Sequence, residues 1–307
     1  MIKMTRRKAL ATAAAAPLAF AASTKASFAE GHAMGPSRGS IHQRFALGDF
    51  EVTTLLAGTT PRDNPQGIFG MNVSAEEFAA ASAENFIPTD MAQFFFTPTV
   101  VKAGENTILF DTGLNAGGIT SALSEAGYGA DDITHVVLTH MHGDHIGGLQ
   151  TEGTPTFANA VYVTGAVEHN HWSSAGNAGF DANVVPLNEK MSFLNGGDTV
   201  APGIEAVEAF GHTPGHMAYR ITSGGAALML IADLANHPIW SLERPDWEVR
   251  FDADKAAAAA SRRNVLGMIA DERIPMIGYH MPFPGIGYVD TRGDGFRYVP
   301  HSYQLML

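Results

Sequence analysis

The sequence contains no cysteine among its 307 residues. This absence excludes disulfide bonds, thiolate metal ligands and a cysteine nucleophile. Any transition metal that the chain binds must therefore be held by imidazole nitrogen and carboxylate oxygen. These donors suit zinc, manganese, iron or cobalt. Apolar residues make up 45% of the chain, enough to bury a sizeable hydrophobic core.

Positive charge is also scarce. The sequence has 19 lysines and arginines against 31 aspartates and glutamates. Five of the basic residues lie within residues 1–29, namely Lys3, Arg6, Arg7, Lys8 and Lys25. Without that segment, 14 basic residues face 31 acidic ones, and the net charge is −17. A surface this acidic repels phosphate backbones and anionic lipids, so we expect no nucleic-acid partner.

Long apolar runs are missing after the N-terminus, and we expect no membrane insertion. The N-terminus itself has the order of a signal peptide, with a basic start, an alanine-rich stretch over Ala9–Ala22 and small residues around Ala29. The pair Arg6-Arg7 resembles a twin-arginine signal. We therefore predict export to the periplasm or the medium. The expected parts are a signal peptide over 1–29, a flexible lead-in over 30–45 and one folded domain over 46–307.

Short strand-like runs alternate with helical segments through the rest of the chain. A capping pattern at Ser74 opens one predicted helix, and the alanine-rich run after Lys255 gives another a high helix propensity. The predicted strands are 50–56, 93–102, 107–110, 133–138, 160–164, 205–209, 216–221, 227–231 and 274–278. The predicted helices are 74–85, 119–126 and 252–271, and a hairpin over 287–304 turns at 292–295.

The segment His140-Met141-His142-Gly143-Asp144-His145 follows a buried strand and carries three imidazoles and a carboxylate within six residues. Two imidazoles at positions i and i+2 of a tight loop can face one metal ion, while the next two side chains face a neighbouring ion. Such a spacing has chance odds on the order of one in a thousand here. We therefore favour a metal site over a solvated histidine cluster.

This motif resembles the signature of the metallo-β-lactamase superfamily. Further landmarks follow in the family's order at Asp111-Thr112-Gly113, Gly211–His216, Ala232-Asp233 and His280. The match covers most of residues 46–300. The resemblance implies an α/β fold, an αββα sandwich of two mixed β-sheets flanked by helices, with two divalent metal ions as cofactors. Zinc is the first expectation for these ions, and manganese, iron and cobalt are alternatives.

Position by position, the resemblance implies two sets of metal ligands that share one residue. One metal is expected at His140, His142 and His212, and the other at Asp144, His145 and His280, with Asp233 bridging both. Asp144 and Asp233 are also the expected catalytic groups. Three of these residues have a plainer interpretation: His212 as a turn residue, Asp233 as a helix cap and His280 as a packed core histidine.

Asp111, Trp172 and His237 are expected around the ligands. Asp111 lies in a D-T-G sequence, but aspartic-protease chemistry needs a second such carboxylate, and the sequence has none. We therefore predict that Asp111 orients a metal ligand. Trp172 and His237 are candidates for the pocket wall; the alternatives are a core tryptophan and a hydrogen-bonded histidine without a role in catalysis.

The resemblance also narrows the activity. True β-lactamases lack the bridging aspartate, so Asp233 argues against them, and His142 excludes the flavodiiron pattern. The run from His280 to Gly287 resembles the methyl parathion hydrolase-like and quorum-quenching lactonase branch. That branch implies a hydroxide between the metals that opens lactones or cleaves carboxyl esters. Acyl-homoserine lactones are the first candidate substrates, a small uncharged or hydrophobic ester or lactone is the expected ligand, and a homodimer is the expected assembly.

Two alternatives stay open. Some lactonases place a tyrosine three residues after the bridging aspartate, where this chain has Asn236. This departure favours the organophosphate triester hydrolases of the same branch. From another class, the chain could be a periplasmic metal-binding protein without catalysis. The complete set of seven ligands weighs against that interpretation.

Overall fold

The computed structural model describes residues 41–306. The predicted signal peptide and most of the predicted lead-in lie outside this part. The end of the lead-in, expected to be flexible, is instead a strand that begins at His42. Phe45 and Leu47 are buried on one face of it, and it pairs antiparallel with the next strand. This two-residue alternation of buried side chains fixes the segment to the sheet.

The first half of the chain builds one large sheet. The strands of this half are β1 (His42–Leu47), β2 (Phe50–Leu55), β3 (Gly58–Asp63), β4 (Met91–Phe96), β5 (Thr99–Ala103), β6 (Asn106–Phe110), β7 (His135–Leu138), β8 (Gln150–Thr151), β9 (Thr154–Pro155), β10 (Val161–Gly165) and β11 (Met191–Leu194). Seven of these strands form the sheet in the order β1-β2-β5-β6-β7-β10-β11. The pairs β3-β4 and β8-β9 form separate two-stranded ribbons.

The second half builds another seven-stranded sheet, in which the strands lie in chain order. They are β12 (Thr199–Ala201), β13 (Ile204–Glu208), β14 (Met217–Ser223), β15 (Ala226–Ala232), β16 (Pro275–Gly278), β17 (Ile286–Arg292) and β18 (Gly295–Pro300). Both sheets are mixed. The parallel pairs are β6/β7, β7/β10 and β10/β11 in the first sheet and β15/β16 in the second.

The helices lie between these strands in sequence. They are α1 (Ala75–Glu84), α2 (Ala116–Glu125), α3 (Gly143–Ile146), α4 (Ala166–Ala175), α5 (Ala178–Asn183), a π-helix (Pro238–Glu243) and α6 (Lys255–Glu272). Short 3₁₀ turns cover Pro65–Gly67, Ala130–Asp132, Val185–Lys190 and Gln304–Met306. Ser74 caps α1 as expected, because its hydroxyl accepts a hydrogen bond from the backbone N–H of Glu77. Within residues 41–306, no helix is long and apolar enough to cross a membrane.

Four layers follow from the alternation of buried side chains. Val137 of β7 packs in the core between the two sheets, whereas its neighbours Val136 and Leu138 pack against the helices outside the first sheet. Val265 and Leu266 of α6 cover the outer face of the second sheet. The predicted αββα sandwich of two mixed sheets is therefore confirmed.

One predicted strand is wrong in a way that matters for the site. Residues 93–102 form two strands, β4 and β5, separated at Thr97-Pro98. Proline has no backbone N–H to donate to a ladder, so the strand cannot continue through it. β5 joins the large sheet, while β4 pairs with β3 as a ribbon whose residues Phe94 and Phe96 face the metal ligands.

Candidate metal centre

The expected ligands lie where neighbouring parallel strands end. β6 and β7 are parallel neighbours, and Asp111 and His140 come just after them. In the second sheet, β15 and β16 are parallel neighbours, with Asp233 and His280 just beyond. Because the carboxyl ends of parallel strands meet at one edge of a sheet, this topology brings distant residues together.

Three histidine nitrogens form the first group. The Nδ1 atom of His142 lies 3.0 Å from Nε2 of His140 and 3.0 Å from Nε2 of His212. His140 and His212 are buried, whereas His142 is partly exposed toward the pocket. Three nitrogens at these distances can hold one metal ion.

A carboxylate and two histidines form the second group. The Oδ2 atom of Asp144 lies 3.8 Å from Nε2 of His145 and 3.3 Å from Nε2 of His280. Asp233 lies between the two groups, since its Oδ2 atom is 3.3 Å from Nε2 of His212 and 3.1 Å from Nε2 of His280. One carboxylate thus faces both groups of candidate ligands.

Two atoms of this cluster have no hydrogen-bond partner within residues 41–306. They are Nε2 of His145 and Oδ1 of Asp233, which are buried and 3.2 Å apart. A buried polar atom without a partner is costly, and such atoms in native proteins call for an explanation. A metal ion would satisfy both atoms. The donor set, imidazole and carboxylate without sulfur, also fits divalent zinc or a similar ion.

The outer nitrogens of the ligands are already occupied, which fixes the inner ones as acceptors. His280 donates from Nδ1 to the backbone oxygen of Phe95 at 2.8 Å. A carbonyl oxygen cannot donate, so Nδ1 of His280 keeps its proton and Nε2 is the nitrogen left to bind a metal ion. In the same way, Nδ1 of His212 lies 3.0 Å from the Asp252 carboxylate. Partners of this kind orient metal-binding imidazoles and raise their basicity.

Asp111 supports the first motif from behind. Its carboxylate accepts hydrogen bonds from the N–H and the hydroxyl of Thr139, each at 2.9 Å, and from Nδ1 of His145 at 2.9 Å. Asp111 and Ala232 both have positive backbone φ angles, 61° and 45°, which residues other than glycine rarely adopt. Backbone strain of this kind is found where surrounding structure holds functional residues in place. This position is the one expected of a residue that orients a ligand.

Sequence reasoning missed the partner of His212. Asp252 was expected to begin the long helix, but α6 begins at Lys255 because Asp254 is its cap. Asp252 is instead fully buried and bonds both to His212 and to Nη1 of Arg262, the latter at 2.8 Å. The pair Arg262-Arg263 in this alanine-rich helix is a sequence signal that could have pointed to acidic partners, and Arg262 is the buried member of the pair.

The electrostatics separate neutral from charged ligands. Burial and the neighbouring imidazoles lower the pKa of His142 to about 3, so it is a neutral donor. Burial lowers the pKa of His280, but the adjacent Asp233 and Asp144 carboxylates outweigh it and raise the pKa to about 9. Burial raises the pKa of the Asp144 carboxyl, yet the nearby imidazoles outweigh it and lower the pKa to about 2. Asp144 is therefore an anionic ligand near neutral pH.

The remaining candidates lie beside the cluster rather than in it. Trp172 packs its ring edge against His142, with centroids 5.8 Å apart. His237 caps the π-helix through Nδ1 and stacks on Trp240 at 3.9 Å. Neither Trp172 nor His237 lines the cavity above the ligands. For His237, this arrangement matches the plainer interpretation of a hydrogen-bonded histidine without a role in catalysis.

A cavity of about 360 Å³ opens above the ligands. Its walls are mostly apolar and come from Phe94, Phe96, Leu114 and Phe251, with Arg62 exposed at the rim. The ligands His142, Asp144, His212, Asp233 and His280 form its floor. The arrangement can place an uncharged substrate with an apolar group against a metal-binding floor. Arg62 and Phe251 carry no motif, and sequence reasoning missed both.

The model of the metallo-β-lactamase superfamily matches residues 97–275, more than half of the chain. The chain belongs to the metallo-β-lactamase superfamily. The motif at residues 140–145 had predicted this family, and the described residues include groups that could hold metal ions.

Solved structures extend this likeness over most of the fold. The chain resembles AidC, a dizinc quorum-quenching lactonase in complex with a product N-hexanoyl-L-homoserine, at 28% identity and a TM-score of 0.78. That match covers 87% of this chain and 100% of AidC. The hydrolase AbOPH matches at 21% identity and a TM-score of 0.80, over 87% of this chain and 99% of that one. At that identity the second likeness concerns the fold alone.

Among curated proteins, an N-acyl homoserine lactonase of Bacillus sp. is 24% identical to this chain over 144 residues. The match covers 47% of this chain and 55% of that protein. The chain thus spans about half the length of the curated relatives it matches. Their substrates are therefore candidates for this chain and not findings about it.

Proposed function

We propose that this protein is a binuclear metal-dependent hydrolase that opens lactones, with N-acyl homoserine lactones as the first candidate. The observation that carries the proposal is the shared carboxylate of Asp233 between two groups of metal ligands, directly below a cavity with phenylalanine walls. In a lactone with an acyl chain, the carbonyl group can lie against the metal-binding residues, and the apolar tail can pack against the phenylalanine side chains. The likeness to AidC at 28% identity supports the same substrate class.

The residues that would hold the metals are His140, His142 and His212 for one ion, and Asp144, His145 and His280 for the other, with Asp233 shared. Two bound divalent ions supply a water of lowered pKa and a Lewis acid for the carbonyl oxygen. Zinc is the first candidate, with manganese, iron and cobalt as alternatives. The supports at Asp111, Asp252 and the Phe95 carbonyl hold the imidazoles in the required orientation.

Asp144 is the proposed proton carrier. Its side chain is 23% exposed and lines the cavity, whereas Asp233 is buried. Its lowered pKa keeps it ionised near neutral pH, so its carboxylate can accept a hydrogen bond from the attacking water. In lactone opening, it takes a proton from the attacking water as the new C–O bond forms. It then returns the proton to the ring oxygen as the old C–O bond breaks.

The cavity walls are the proposed acyl site. Phe94, Phe96 and Phe251 form a continuous apolar surface next to the ligands. Each buried CH₂ of an acyl chain contributes about 0.8 kcal/mol to binding. The exposed guanidinium of Arg62 at the rim can donate a hydrogen bond to the amide oxygen of the substrate.

A second candidate is the hydrolysis of organophosphate triesters. Asn236 donates a hydrogen bond to Oδ2 of Asp233 at 2.8 Å and is only 2% exposed. It supports a ligand and does not reach the cavity, so the hydroxyl that some lactonases place at this position for the carbonyl oxygen is missing. A phosphotriester needs no such hydroxyl, and the apolar walls accept its aryl group as readily as an acyl chain.

The test compares both substrates on one sample. The purified protein is analysed for metal per chain and then assayed with N-decanoyl homoserine lactone and with an aryl dialkyl phosphotriester. We expect two metals per chain and faster lactone turnover, lost in His142→Ala and kept in Asp181→Ala, an exposed control. Faster triester turnover would establish the second candidate instead. Two metals with neither activity would favour a metal-binding protein without catalysis.

Export to the periplasm and assembly into a homodimer also remain proposals. The first rests on the basic, alanine-rich order of residues 1–29, outside the part that the structure describes. The second rests on the family resemblance alone.

A further inference from the structure

Glu168 in α4 is a buried carboxylate with an unusual set of partners. Its side chain is completely buried. Among the described residues it has no cationic partner; it accepts four hydrogen bonds instead. Burying a carboxylate is costly unless all its acceptor sites are satisfied. The four hydrogen bonds offset this cost, and the groups that donate them indicate what the buried carboxylate does.

Three of the four donors come from two loops that carry proposed metal ligands, and the fourth is Trp172 in the same helix. One carboxylate oxygen, Oε1, accepts from the N–H of Met141 at 3.0 Å and from Nε1 of Trp172 at 2.7 Å. The other, Oε2, accepts from the hydroxyl of Thr213 at 2.8 Å and from the N–H of Gly215 at 2.9 Å. Met141 lies between His140 and His142 in sequence, and Thr213 follows His212. Glu168 thus joins the two loops that supply the three-histidine group.

The packing around Glu168 leaves these loops little freedom. A Cβ atom on Gly215 would lie 2.2 Å from the backbone nitrogen of Glu168, so only glycine permits this approach. Trp172, held by Glu168, packs its ring edge against His142. Glu168 therefore acts on His142 from two sides, through the Met141 backbone and through the indole.

The other metal group does not depend on Glu168. His145 is supported by Asp111, and His280 is supported by the Phe95 carbonyl. None of the four bonds of Glu168 goes to these residues. We infer that Glu168 is the positioning residue of the three-histidine metal site, fixing the distance between the His140–His142 loop and the His212 loop. This inference rests on the metal centre of the proposed function and not on its substrate.

The test is a metal titration of the full-length chain carrying Glu168→Gln. The amide keeps the size of the carboxylate but places an NH₂ group against two of the four donors, so two bonds are lost. With cobalt(II) as the probe, followed by its visible absorption in competition with a chelator, we expect one of the two equivalents to bind about 10–100-fold more weakly. The other equivalent should bind as in the wild type. Glu189→Gln, at an exposed glutamate, is the matched control.

A double variant distinguishes an effect of Glu168 on the three-histidine site from a general effect on the stability of both metal sites. His142→Ala already impairs the three-histidine site, so adding Glu168→Gln should not weaken the remaining cobalt any further. A further loss in the double variant would overturn the inference, as would two equivalents that bind normally to Glu168→Gln. If Glu168→Gln does not fold, Thr213→Val removes a single bond, and about a fivefold weakening of the same equivalent is expected. Unchanged affinity in Thr213→Val would overturn the inference.

The two proposals can fail separately. A wild-type chain that binds two metals but opens no lactone would refute the substrate assignment and leave the role of Glu168 intact. A wild-type chain that binds no metal would refute both.

Discussion

The two halves of the chain supply the proposed metal ligands in different ways. The first half places His140, His142, Asp144 and His145 within six residues, on a loop and the short helix α3. The second half supplies single ligands from separate loops, each near the end of its own strand. A contiguous motif can be held by a few shared contacts, whereas dispersed ligands each need a support of their own.

The supports differ accordingly. Asp111 fixes the start of the contiguous motif through Thr139 and its end through His145. In the second half, His212 relies on the buried pair of Asp252 and Arg262. A buried ion pair is costly to form and more costly to break, so this support also contributes to folding. The second half should therefore be the more sensitive of the two to mutation and to loss of metal.

The largest effect is expected where the halves meet. Asp233→Ala removes the proposed ligand that faces both groups, and we expect activity on the preferred substrate to fall by about 10³-fold or more, because several kcal/mol of transition-state stabilisation would depend on the metals. Steady-state kinetics and metal analysis measure the loss. Asp181→Ala, at an exposed aspartate, should retain full activity. Comparable activity in both variants would show that Asp233 is not a shared ligand.

Removal of the metal should destabilise the two halves of the chain to different extents. Saturating metal at about 1,000 times its dissociation constant stabilises the folded state by about 4 kcal/mol, so chelation should lower the melting temperature of the protein. Amide hydrogen exchange would show where the loss occurs. We expect the loops around His212 and His280 to lose more protection than the segment 139–148, which Asp111 holds without metal. Equal loss in both halves would contradict the proposed difference in support.

The parts of the fold and the site that depend on short, local sequence patterns could be predicted from the sequence. The motif at 140–145, the strand ends before Asp111 and Asp233, and the αββα architecture all follow from short patterns, and the family and fold are confirmed. The hairpin was also placed correctly, since β17 and β18 turn between Arg292 and Gly295.

The residues whose roles were not predicted from the sequence share a physical feature. Glu168, Asp252 and Arg262 are charged residues whose positions look like those of solvated side chains on helices or at helix ends. Their burial depends on contacts across 10 to 47 positions of sequence. Phe251 and Arg62 reach the cavity only because distant segments fold over the ligands. A single sequence shows residue types and local spacing, and apart from the arginines of α6 it gives no sign of these long-range contacts.

The supports themselves should behave differently when neutralised. Asp111→Asn and Asp252→Asn each remove a charged partner from a ligand, and each should weaken metal binding by about 10–100-fold. Asp252→Asn also leaves Arg262 as a buried charge without its carboxylate, so it should lower the free energy of unfolding by about 3–5 kcal/mol. Urea denaturation of the metal-free variants isolates the second effect.

The double variant Asp252→Asn with Arg262→Met is the control for this pair, because it removes both charges together. It should regain much of the stability that Asp252→Asn loses while its metal binding stays weak. If Asp111→Asn destabilised the metal-free protein as much as Asp252→Asn, the two halves would not differ in the way proposed.

The smallest effect is expected at the cavity wall, where both halves contribute. Phe94 comes from the first half and Phe251 from the second, and their rings meet edge to face with centroids 6.2 Å apart. Phe251→Ala removes part of the surface for an acyl chain but no metal ligand. We expect KM for N-decanoyl homoserine lactone to rise about tenfold, from the loss of about two CH₂ equivalents of contact, with little change for an N-butanoyl substrate. Phe86→Ala, at a side chain that is 96% exposed, serves as the control. Equal losses on the long and short substrates would mean that Phe251 shapes the metal floor, and the acyl chain would then have to bind elsewhere.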